Sequence, residues 1–260
     1  MLIKIESADN NRIKLVRKLA NKKYRDEESK LVIEGVNLVS EAVRKGMKID
    51  FILAADTYSG DFLTECIKSD SLTVCQVSES EFNKLTDAEN GVGILAVIEK
   101  FDVTADGGKV TSDGNILVLD KVQDPGNIGT MIRTAVAAGY EMIIAVKGTV
   151  DVFSPKVLRA TAGMIFDIPI MYISDANELE RVLKGFGKKI VVTDVSSGTE
   201  YYKTNLDKGI ALVIGNEGSG VSDEVMKMAD IRVTIPMRGE IESLNAAISA
   251  AILMYEAIRS

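Results

Sequence analysis

Six apolar runs in the second half of this 260-residue chain restrict its fold more than any other feature of the sequence. Each is a nearly continuous stretch rich in isoleucine, valine and leucine, and segments of helical periodicity lie between them: ILVLDKV, EMIIAVKG, FDIPIMYI, KKIVVTDV, GIALVIGN and IRVTIPM. Strands of this composition have both faces covered, as in a parallel sheet flanked by helices. We therefore predict a parallel, doubly wound α/β domain over residues 116–260.

The first hundred residues have a different pattern, with shorter apolar runs and shorter helical segments. Four β-rich runs alternate there with helices: KLVIEG, IDFILAAD, SLTVCQV and GVGILAVIEK. This βαβα alternation is typical of a compact α/β unit. Residues 101–115, FDVTADGGKVTSDGN, are polar and rich in glycine, which predicts a linker. The expected organisation is a smaller α/β domain at 1–100, a linker at 101–115 and the parallel-sheet domain at 116–260.

Histidine is absent from the sequence, and this limits the chemistry of the chain. Catalysis by Ser-His-Asp or Cys-His groups, histidine general bases and most zinc catalysis are excluded, and no metal site is expected. Cys66 and Cys75 match no zinc or redox spacing and are expected to be buried. No apolar run approaches the roughly 18 residues of a membrane span, and MLIKIESADN lacks the apolar core of a signal peptide. We therefore expect a cytoplasmic protein.

Charge is distributed unevenly along the chain, whose net charge is −7. The first 23 residues contain seven basic and two acidic residues, a net charge of +5, which leaves −12 for the remainder. A basic segment on an acidic body is a plausible surface for binding nucleic acid. The solvated face of an amphipathic helix would give the same pattern, so charge alone leaves both interpretations open.

Three loops follow predicted strands of the second half, at the edge where parallel sheets bind ligands. In the first, DKVQDPGNIGTMIRTAVAAG (120–139), Asn127 is predicted to cap a helix, and Arg133 follows six residues later. Together they could meet a phosphate or a ribose hydroxyl. A capping asparagine and a surface arginine would explain the same residues without a ligand.

The second loop, in LVIGNEGSGVSDEV (212–225), combines three glycines with Glu217 but lacks the lysine of a P-loop. A dinucleotide-binding fingerprint would follow the first strand, where this chain has DKVQDPGN instead. The third loop, in IPMRGEIESLNAAISAA (235–251), places Ser243 and Asn245 at the start of the last helix. That helix carries apolar residues at helical spacing: Leu244, Ile248, Ala251, Ile252, Tyr255 and Ile258. A well-packed terminal helix would also explain this third segment.

Taken together, PGNIGTMIRTAVAAG, LVIGNEGSGVSDEV and IPMRGEIESLNAAISAAILMYEA resemble the three successive motifs of the SpoU (TrmH) RNA 2′-O-ribose methyltransferases of the SPOUT superfamily. The motifs occur in the family's order and cover nearly the whole second half. The segment SADNNRIKLVRKLANKKYRDEESKLVIEG resembles, more loosely, the substrate-binding domain of the family's ribosomal-RNA branch. The resemblance implies a SPOUT domain tied in a deep trefoil knot, bound S-adenosyl-L-methionine, and an obligate homodimer with the active site at its interface. Periodicity would not predict a knot, since knots are nearly absent from proteins.

The resemblance also implies roles for individual residues. Arg133 takes the central catalytic position, and the other catalytic positions are Asn127, Glu217, Ser243 and Asn245. A guanidinium keeps its proton far above neutral pH, so a charge clamp suits Arg133 better than the role of a base. Glu217 would either orient Arg133 or accept the proton. The cofactor would bind at Thr193, Gly215, Asn216, Gly218, Ile235, Met237, Ser243, Leu244 and Asn245. RNA contacts are expected from Asn11, Lys14, Arg17, Lys22, Lys23 and Arg25.

The sequence thus predicts S-adenosylmethionine-dependent 2′-O-methylation of RNA, with 23S ribosomal RNA as the favoured substrate because of the N-terminal domain. A transfer-RNA ribose methyltransferase is the nearest alternative. A non-catalytic RNA-binding or ribosome-assembly protein on the same fold is the other. In that case some of the catalytic positions would be expected to differ from the family pattern, yet Asn127, Arg133, Glu217 and Asn245 all match it.

Overall fold

The chain divides into two compact units in the computed structural model, which describes residues 2–86, 93–101, 110–195, 197–239 and 243–259. The first unit comprises Met1–Phe101 and Phe153–Phe166, and the second comprises Asp102–Val152 and Asp167–Ser260. Most of the predicted linker, residues 102–109, lies outside the described residues. The boundaries at 100 and 116 therefore stay a prediction, and they do not anticipate the return of residues 153–166 to the first unit.

The first unit contains a mixed five-stranded sheet in the order β1-β4-β3-β5-β2, in which β5 runs antiparallel to both of its neighbours. The strands are β1 Leu2–Lys4, β2 Lys30–Glu34, β3 Ile49–Ala55, β4 Val74–Val77 and β5 Ile94–Glu99. The helices are α1 Asn11–Leu19, α2 Lys22–Glu28, α3 Val36–Arg44, α4 Asp61–Lys68 and α5 Glu79–Phe82. Both cysteines are buried in this unit, as predicted.

Helix α1 forms because its apolar residues recur every third position behind a capping side chain. Asn10 Oδ1 accepts a hydrogen bond from the N–H of Arg12 at 2.9 Å, which satisfies one of the free donors of the first turn. Ile13, Val16 and Leu19 then point inward and are fully buried, while the basic residues between them stay on the solvent side.

The second unit contains a seven-stranded sheet in the order β10-β12-β9-β11-β6-β7-β8, and every pair of neighbours is parallel. The strands are β6 Ile116–Leu119, β7 Met142–Val146, β8 Ile170–Ile173, β9 Lys189–Thr193, β10 Thr199–Glu200, β11 Ile210–Ile214 and β12 Ile231–Thr234. The helices are α6 Pro125–Ala137, α7 Pro155–Ala160, α8 Ala176–Gly185, α9 Asp223–Lys227 and α10 Ala246–Glu256. Every residue of β6, β7 and β11 is buried, which confirms the parallel α/β prediction. The trefoil knot stays a prediction.

Strand order brings two distant loops together at one edge of this sheet. The chain runs outward from β6 through β7 to β8, then crosses over to β9, and β11 finally pairs with β6. The point where strand order reverses is where open parallel sheets bind ligands. The loops that follow β6 and β11 are therefore neighbours at the carboxyl edge of the sheet.

Helix α7 belongs to the first unit although the chain around it belongs to the second. It packs against β2, and Arg159 Nη1 lies 2.6 Å from Glu34 Oε2. The side chain of Glu34 is almost fully buried, so the guanidinium compensates a carboxylate that would otherwise be costly to bury. Phe101 also packs edge-on against Phe153 and Phe166, with ring centroids 5.3 Å apart in each pair.

Helix α10 is apolar on two faces. Ala247, Ala250, Leu253 and Met254 are buried, and the helix packs against α6 and β11. Of the stripe identified in the sequence, Ile248, Tyr255 and Ile258 remain about half exposed. Among the described residues, no helix combines the length and the apolar character that a membrane span requires.

Candidate functional site

The loop after β11 is a tight turn organised by one asparagine. The backbone N–H groups of Asn216 and Gly220 each donate to the other residue's carbonyl at 2.9 Å. Asn216 Oδ1 accepts hydrogen bonds from the N–H groups of Gly218 and Ser219, at 2.9 and 3.0 Å. The side chain of Asn216 therefore fills the inside of the loop and fixes its shape.

The three glycines of this loop serve different purposes. A Cβ at Gly215 would lie 2.2 Å from the carbonyl carbon of Gly220 and 2.2 Å from the nitrogen of Val221, so no side chain fits there. Gly220 has φ +72°, a left-handed conformation that suits glycine. A Cβ at Gly218 would lie 3.6 Å from Asn216 Oδ1, an ordinary contact. Gly215 thus allows the loop to close on its own backbone.

A pocket of about 390 Å³ lies beside this loop, at the carboxyl ends of β9, β11 and β12. Eight of the nine residues predicted to bind a cofactor line it: Thr193, Gly215, Asn216, Gly218, Ile235, Met237, Ser243 and Leu244. The ninth, Asn245, caps α10 next to the lining. Asp194 and Ser249 also line the pocket, and the sequence analysis did not identify them. Asp194 could have been identified only from its place directly after Thr193, at the end of the same strand.

The carboxylate of Glu217 connects the loop after β11 to the start of α6. Its Oε2 accepts the N–H of Gln123 at 3.0 Å, and its Oε1 accepts the N–H of Asp124 at 3.0 Å. Oε1 also accepts Asn127 Nδ2 at 2.9 Å. Nothing in the sequence pattern indicated a role for Gln123, because its contribution is a backbone donor.

Asn127 continues this connection to the last helix. Its Oδ1 accepts Asn245 Nδ2 at 2.9 Å, and Asn245 Oδ1 in turn accepts the N–H of Ala247 at 2.9 Å. Glu217, Asn127 and Asn245 therefore form one chain of hydrogen bonds across the three motifs. We refer to these three residues as the motif network.

The predicted cap of α6 needs a correction. Asn127 lies inside the helix, and its N–H donates to Oδ1 of the capping residue, Asp124, at 2.8 Å. Pro125 occupies the first helical position, which its fixed φ and missing N–H favour, so the cap precedes it. The side chain of Asn127 is thereby left for the motif network.

Hydrogen bonding keeps Glu217 ionised. Burial raises the pKa of its carboxyl. The side-chain hydrogen bond from Asn127 and the backbone hydrogen bonds from Gln123 and Asp124 together lower the pKa by more than burial raises it, so it lies below its ordinary value. A carboxylate whose oxygens already accept three hydrogen bonds is a weak proton acceptor. The structure favours a third role for Glu217, which is to position Asn127.

Arg133 lies on α6, nearly two turns beyond Asn127, and its side chain is exposed. Within the described parts of the chain, its guanidinium forms neither an ion pair nor a hydrogen bond, including with Glu217. Ser243 is also exposed at the pocket. A cation without an internal partner at this position is available to bind an anion.

The predicted RNA-binding residues lie on α1 and α2. Four of them form surface ion pairs, namely Lys14 with Asp9 at 3.1 Å, Arg17 with Glu81 at 3.3 Å, Lys22 with Asp26 at 3.0 Å and Lys23 with Glu27 at 3.7 Å. Such pairs contribute little to stability, so a phosphate could replace the carboxylate. Asn11 is exposed at the first position of α1.

Arg25 differs from the other predicted RNA-binding residues. Only 4% of it is exposed, and its Nη1 donates to the carbonyls of Leu19 and Ala20 at 2.8 and 2.7 Å. These carbonyls end α1, so the guanidinium holds α1 and α2 together. The guanidinium of Arg25 is therefore not exposed for contact with RNA.

Comparison with known proteins gives consistent matches over the whole chain. The model of the SpoU rRNA Methylase family matches residues 114–255, and that of the MRM3-like substrate binding domain matches residues 10–96. The 23S rRNA (guanosine(2553)-2′-O)-methyltransferase RlmP of Bacillus subtilis is 36% identical, over 96% of this chain and 97% of that protein. A putative TrmH family tRNA/rRNA methyltransferase of Staphylococcus saprophyticus is 32% identical, over 88% of this chain and 95% of that protein.

Solved structures match equally well. The rRNA methyltransferase from Sinorhizobium meliloti with bound AdoMet (S-adenosylmethionine) superimposes with a TM-score of 0.84 at 31% identity, covering 99% of this chain and 98% of that one. The SpoU methyltransferase AviRb from Streptomyces viridochromogenes, in complex with AdoMet, has a TM-score of 0.85 at 26% identity, covering 96% and 98%.

The lowered pKa of Glu217 leads to a pH-dependent prediction for Glu217→Gln. In the variant, the NH₂ group of the new glutamine faces the backbone N–H of Gln123 or Asp124, and two donors cannot form a hydrogen bond. The variant should therefore be less stable than the wild type at pH 7. A carboxylate with a lowered pKa stabilises the fold above its unfolded pKa of about 4.3 and loses that contribution as pH falls through the folded pKa. Urea unfolding should therefore give a stability difference that is largest at pH 7 and shrinks below about pH 4.

The control is Glu6→Gln, which removes an exposed glutamate of the first unit outside the motif network. Its stability against urea should equal that of the wild type at pH 7 and at pH 3. A Glu217→Gln deficit that is the same at pH 7 and at pH 3 would contradict the proposed anchoring by the ionised carboxylate.

Proposed function

Because the chain belongs to the SpoU rRNA methylase family, we propose that it transfers the methyl group of S-adenosylmethionine to a ribose 2′-hydroxyl of 23S ribosomal RNA. The observation that carries this proposal is the motif network, which joins the three motif loops beside one pocket. The Bacillus subtilis relative is named for this reaction on 23S rRNA. A ribosomal-RNA substrate is also in keeping with the cytoplasmic location expected from the sequence.

The pocket fits S-adenosylmethionine in size and in chemistry. A volume of about 390 Å³ lies within the range of small-molecule sites. The glycine loop presents backbone N–H and C=O groups, which can read an uncharged adenine, and Ile235, Met237 and Leu244 provide apolar walls. When bound, the cofactor supplies the methyl group. The residues that would hold it are the eight predicted lining residues given above.

Arg133 is proposed to hold the target nucleotide. Its guanidinium remains charged at any working pH and has no partner within the described parts of the chain, so it can bind a phosphate of the RNA or stabilise negative charge on the 2′-oxygen. Glu217 and Asn245 hold the side chain of Asn127, which lies on the same helix as Arg133. Holding the two reactants in attacking geometry can supply on the order of 7–11 kcal/mol of the barrier.

The proposal is tested by incubating the protein with tritiated-methyl S-adenosylmethionine and either total ribosomal RNA or total tRNA. We expect label in ribosomal RNA that survives alkaline hydrolysis as a dinucleotide, which shows methylation of the 2′-oxygen. Label in tRNA would support the alternative substrate. No label in either RNA, together with no cofactor binding by calorimetry, would favour a non-catalytic protein.

In the same assay, Arg133→Ala should lower methyl transfer by about 10²–10³-fold or more, the effect of removing a group that stabilises transition-state charge. Cofactor binding by calorimetry should be largely unaffected. Arg181→Ala is the matched control, because Arg181 is an exposed arginine on α8 that pairs with Glu178. Near-normal turnover by the Arg133→Ala variant would refute the assigned role.

Two glycine variants test whether the loop geometry serves the cofactor. In Gly215→Ala, the new Cβ would lie 2.2 Å from the backbone of Gly220 and Val221, so the loop must move. A displacement of about 1 Å can cost on the order of a hundredfold in reaction rate, so we expect methyl transfer to fall by about that factor and the affinity for S-adenosylmethionine to fall with it. Gly185→Ala is the control and should bind normally, since Gly185 ends α8 outside the pocket lining and a Cβ there meets nothing within 4 Å. Equal affinities in calorimetry would contradict the proposed role of this loop.

We also propose a homodimer that buries the exposed face of α10. Ile248 and Tyr255 lie on this face, seven residues apart, and are about half exposed, and Ile258, two residues beyond the helix, is 47% exposed. Scattered exposed apolar residues are common, but a contiguous stripe marks an interface. Self-association through one patch is the usual arrangement of homodimers. The resemblance implies the same assembly.

Light scattering coupled to gel filtration tests the homodimer. The wild type should have twice the mass of the chain, and Ile248→Asp should have the mass of a monomer because a carboxylate would be buried at the interface. Leu2→Asp, which alters an exposed leucine of β1 in the first unit, should remain dimeric. A monomeric wild type at micromolar concentration would contradict the proposal.

A further inference from the structure

Two lysines lie together at the carboxyl edge of the seven-stranded sheet. Lys121 follows β6 by two residues, and Lys147 follows β7 directly. Because β6 and β7 are adjacent and parallel, both lysines lie at the same edge as the pocket. The stem of Lys121 crosses Gly148, since a Cβ at Gly148 would lie 3.0 Å from Cγ of Lys121. The two side chains therefore start next to each other.

The backbone of Lys121 has an unusual conformation for a residue with a long side chain. Its φ is +60°, in the left-handed region that glycine or asparagine normally occupies. Its N–H donates to Thr149 Oγ1 at 3.1 Å, and its carbonyl accepts Asn216 Nδ2 at 3.0 Å and Gln123 Nε2 at 3.1 Å. Asn216 lines the pocket, so the backbone of Lys121 is one hydrogen bond away from a pocket residue.

Charge pairing distinguishes these lysines from those on α1 and α2. Both Lys121 and Lys147 are exposed, and in the described parts of the chain neither forms an ion pair. By contrast, Lys14, Lys22 and Lys23 each have a carboxylate within 4 Å. A lysine without an internal counter-charge binds an external anion without first losing a partner.

We propose that Lys121 and Lys147 form a phosphate-binding pair that holds the RNA backbone next to the target nucleotide. The inference rests on the proposed function and adds to it, because it places RNA contacts in the catalytic unit beside the cofactor pocket. Contacts to phosphate position a nucleic acid without reading its bases. The pair therefore positions RNA and takes no part in the chemical step.

The double variant Lys121→Gln/Lys147→Gln tests this pair. Binding to a 23S ribosomal RNA transcript, measured at several salt concentrations, should weaken by roughly tenfold for each lysine, as expected for a charged hydrogen bond. The slope of log K against log salt should decrease by about 1.4 if the contacted RNA is single-stranded. Affinity for S-adenosylmethionine and the methylation rate at saturating RNA should stay as in the wild type.

A matched control removes two lysines from the opposite edge of the same sheet. Lys189 begins β9, and Lys227 lies in the last turn of α9, which precedes β12, so Lys189→Gln/Lys227→Gln alters the amino edge; among the described residues neither lysine forms an ion pair. RNA affinity and salt slope should then change little. An equal loss in this control, or an unchanged slope in the test variant, would overturn the proposal.

Lys121→Gly separates binding from folding. Glycine adopts the left-handed conformation without strain, so the melting temperature should equal or exceed that of the wild type while RNA affinity falls roughly tenfold. Normal RNA affinity in this variant would contradict the role of Lys121.

The two proposals can fail separately. If the wild type methylates RNA but the double variant has the same salt slope as the wild type, the phosphate pair fails while the proposed function stands. If the wild type binds RNA through the pair but transfers no methyl group, the proposed function fails instead.

Discussion

The three hydrogen bonds accepted by Glu217 are the contact on which the rest of the site depends. Strand order places the loops after β6 and β11 side by side, although Gln123 and Glu217 are 94 positions apart in the chain. The start of α6 would otherwise present unpaired N–H groups to this loop. A carboxylate satisfies them and suits the positive end of the helix dipole. The carboxylate also holds the side chain of Asn127 through a hydrogen bond. Asn127 in turn accepts a hydrogen bond from the side chain of Asn245.

A site built in this way works by holding groups in position. Glu217 accepts three hydrogen bonds that lower its pKa, a guanidinium is a poor base, and the chain has no histidine. Neither Glu217 nor Arg133 is therefore suited to accept a proton near neutral pH, and the proton of the 2′-hydroxyl would pass to water. The arrangement instead fixes the glycine loop beside the pocket and the helix that carries Arg133, which suits a reaction whose donor already carries a reactive methyl group.

The sequence predicted the parallel sheet because burial on both faces requires continuous apolar runs, and β6, β7 and β11 show such runs. The residues that line the pocket were identified through the resemblance to the SpoU family, and the structure brings eight of the nine together at one edge of the sheet. The sequence could not predict which face of α10 packs inward, since alanine, isoleucine and leucine surround that helix. Arg25 resembled its exposed neighbours, and only the two carbonyls that end α1 distinguish it. Contacts between distant residues, such as Asp124 and Glu217, leave no local pattern.

The return of residues 153–166 to the first unit changes what counts as the substrate-binding domain. The chain passes between the units three times, so this domain consists of two pieces of sequence. A fragment that ends at residue 100 would lack α7 and with it Arg159, the cation that pairs with Glu34. A truncation after residue 100 therefore removes part of the first unit, and a fragment meant to reproduce that unit needs both pieces of sequence.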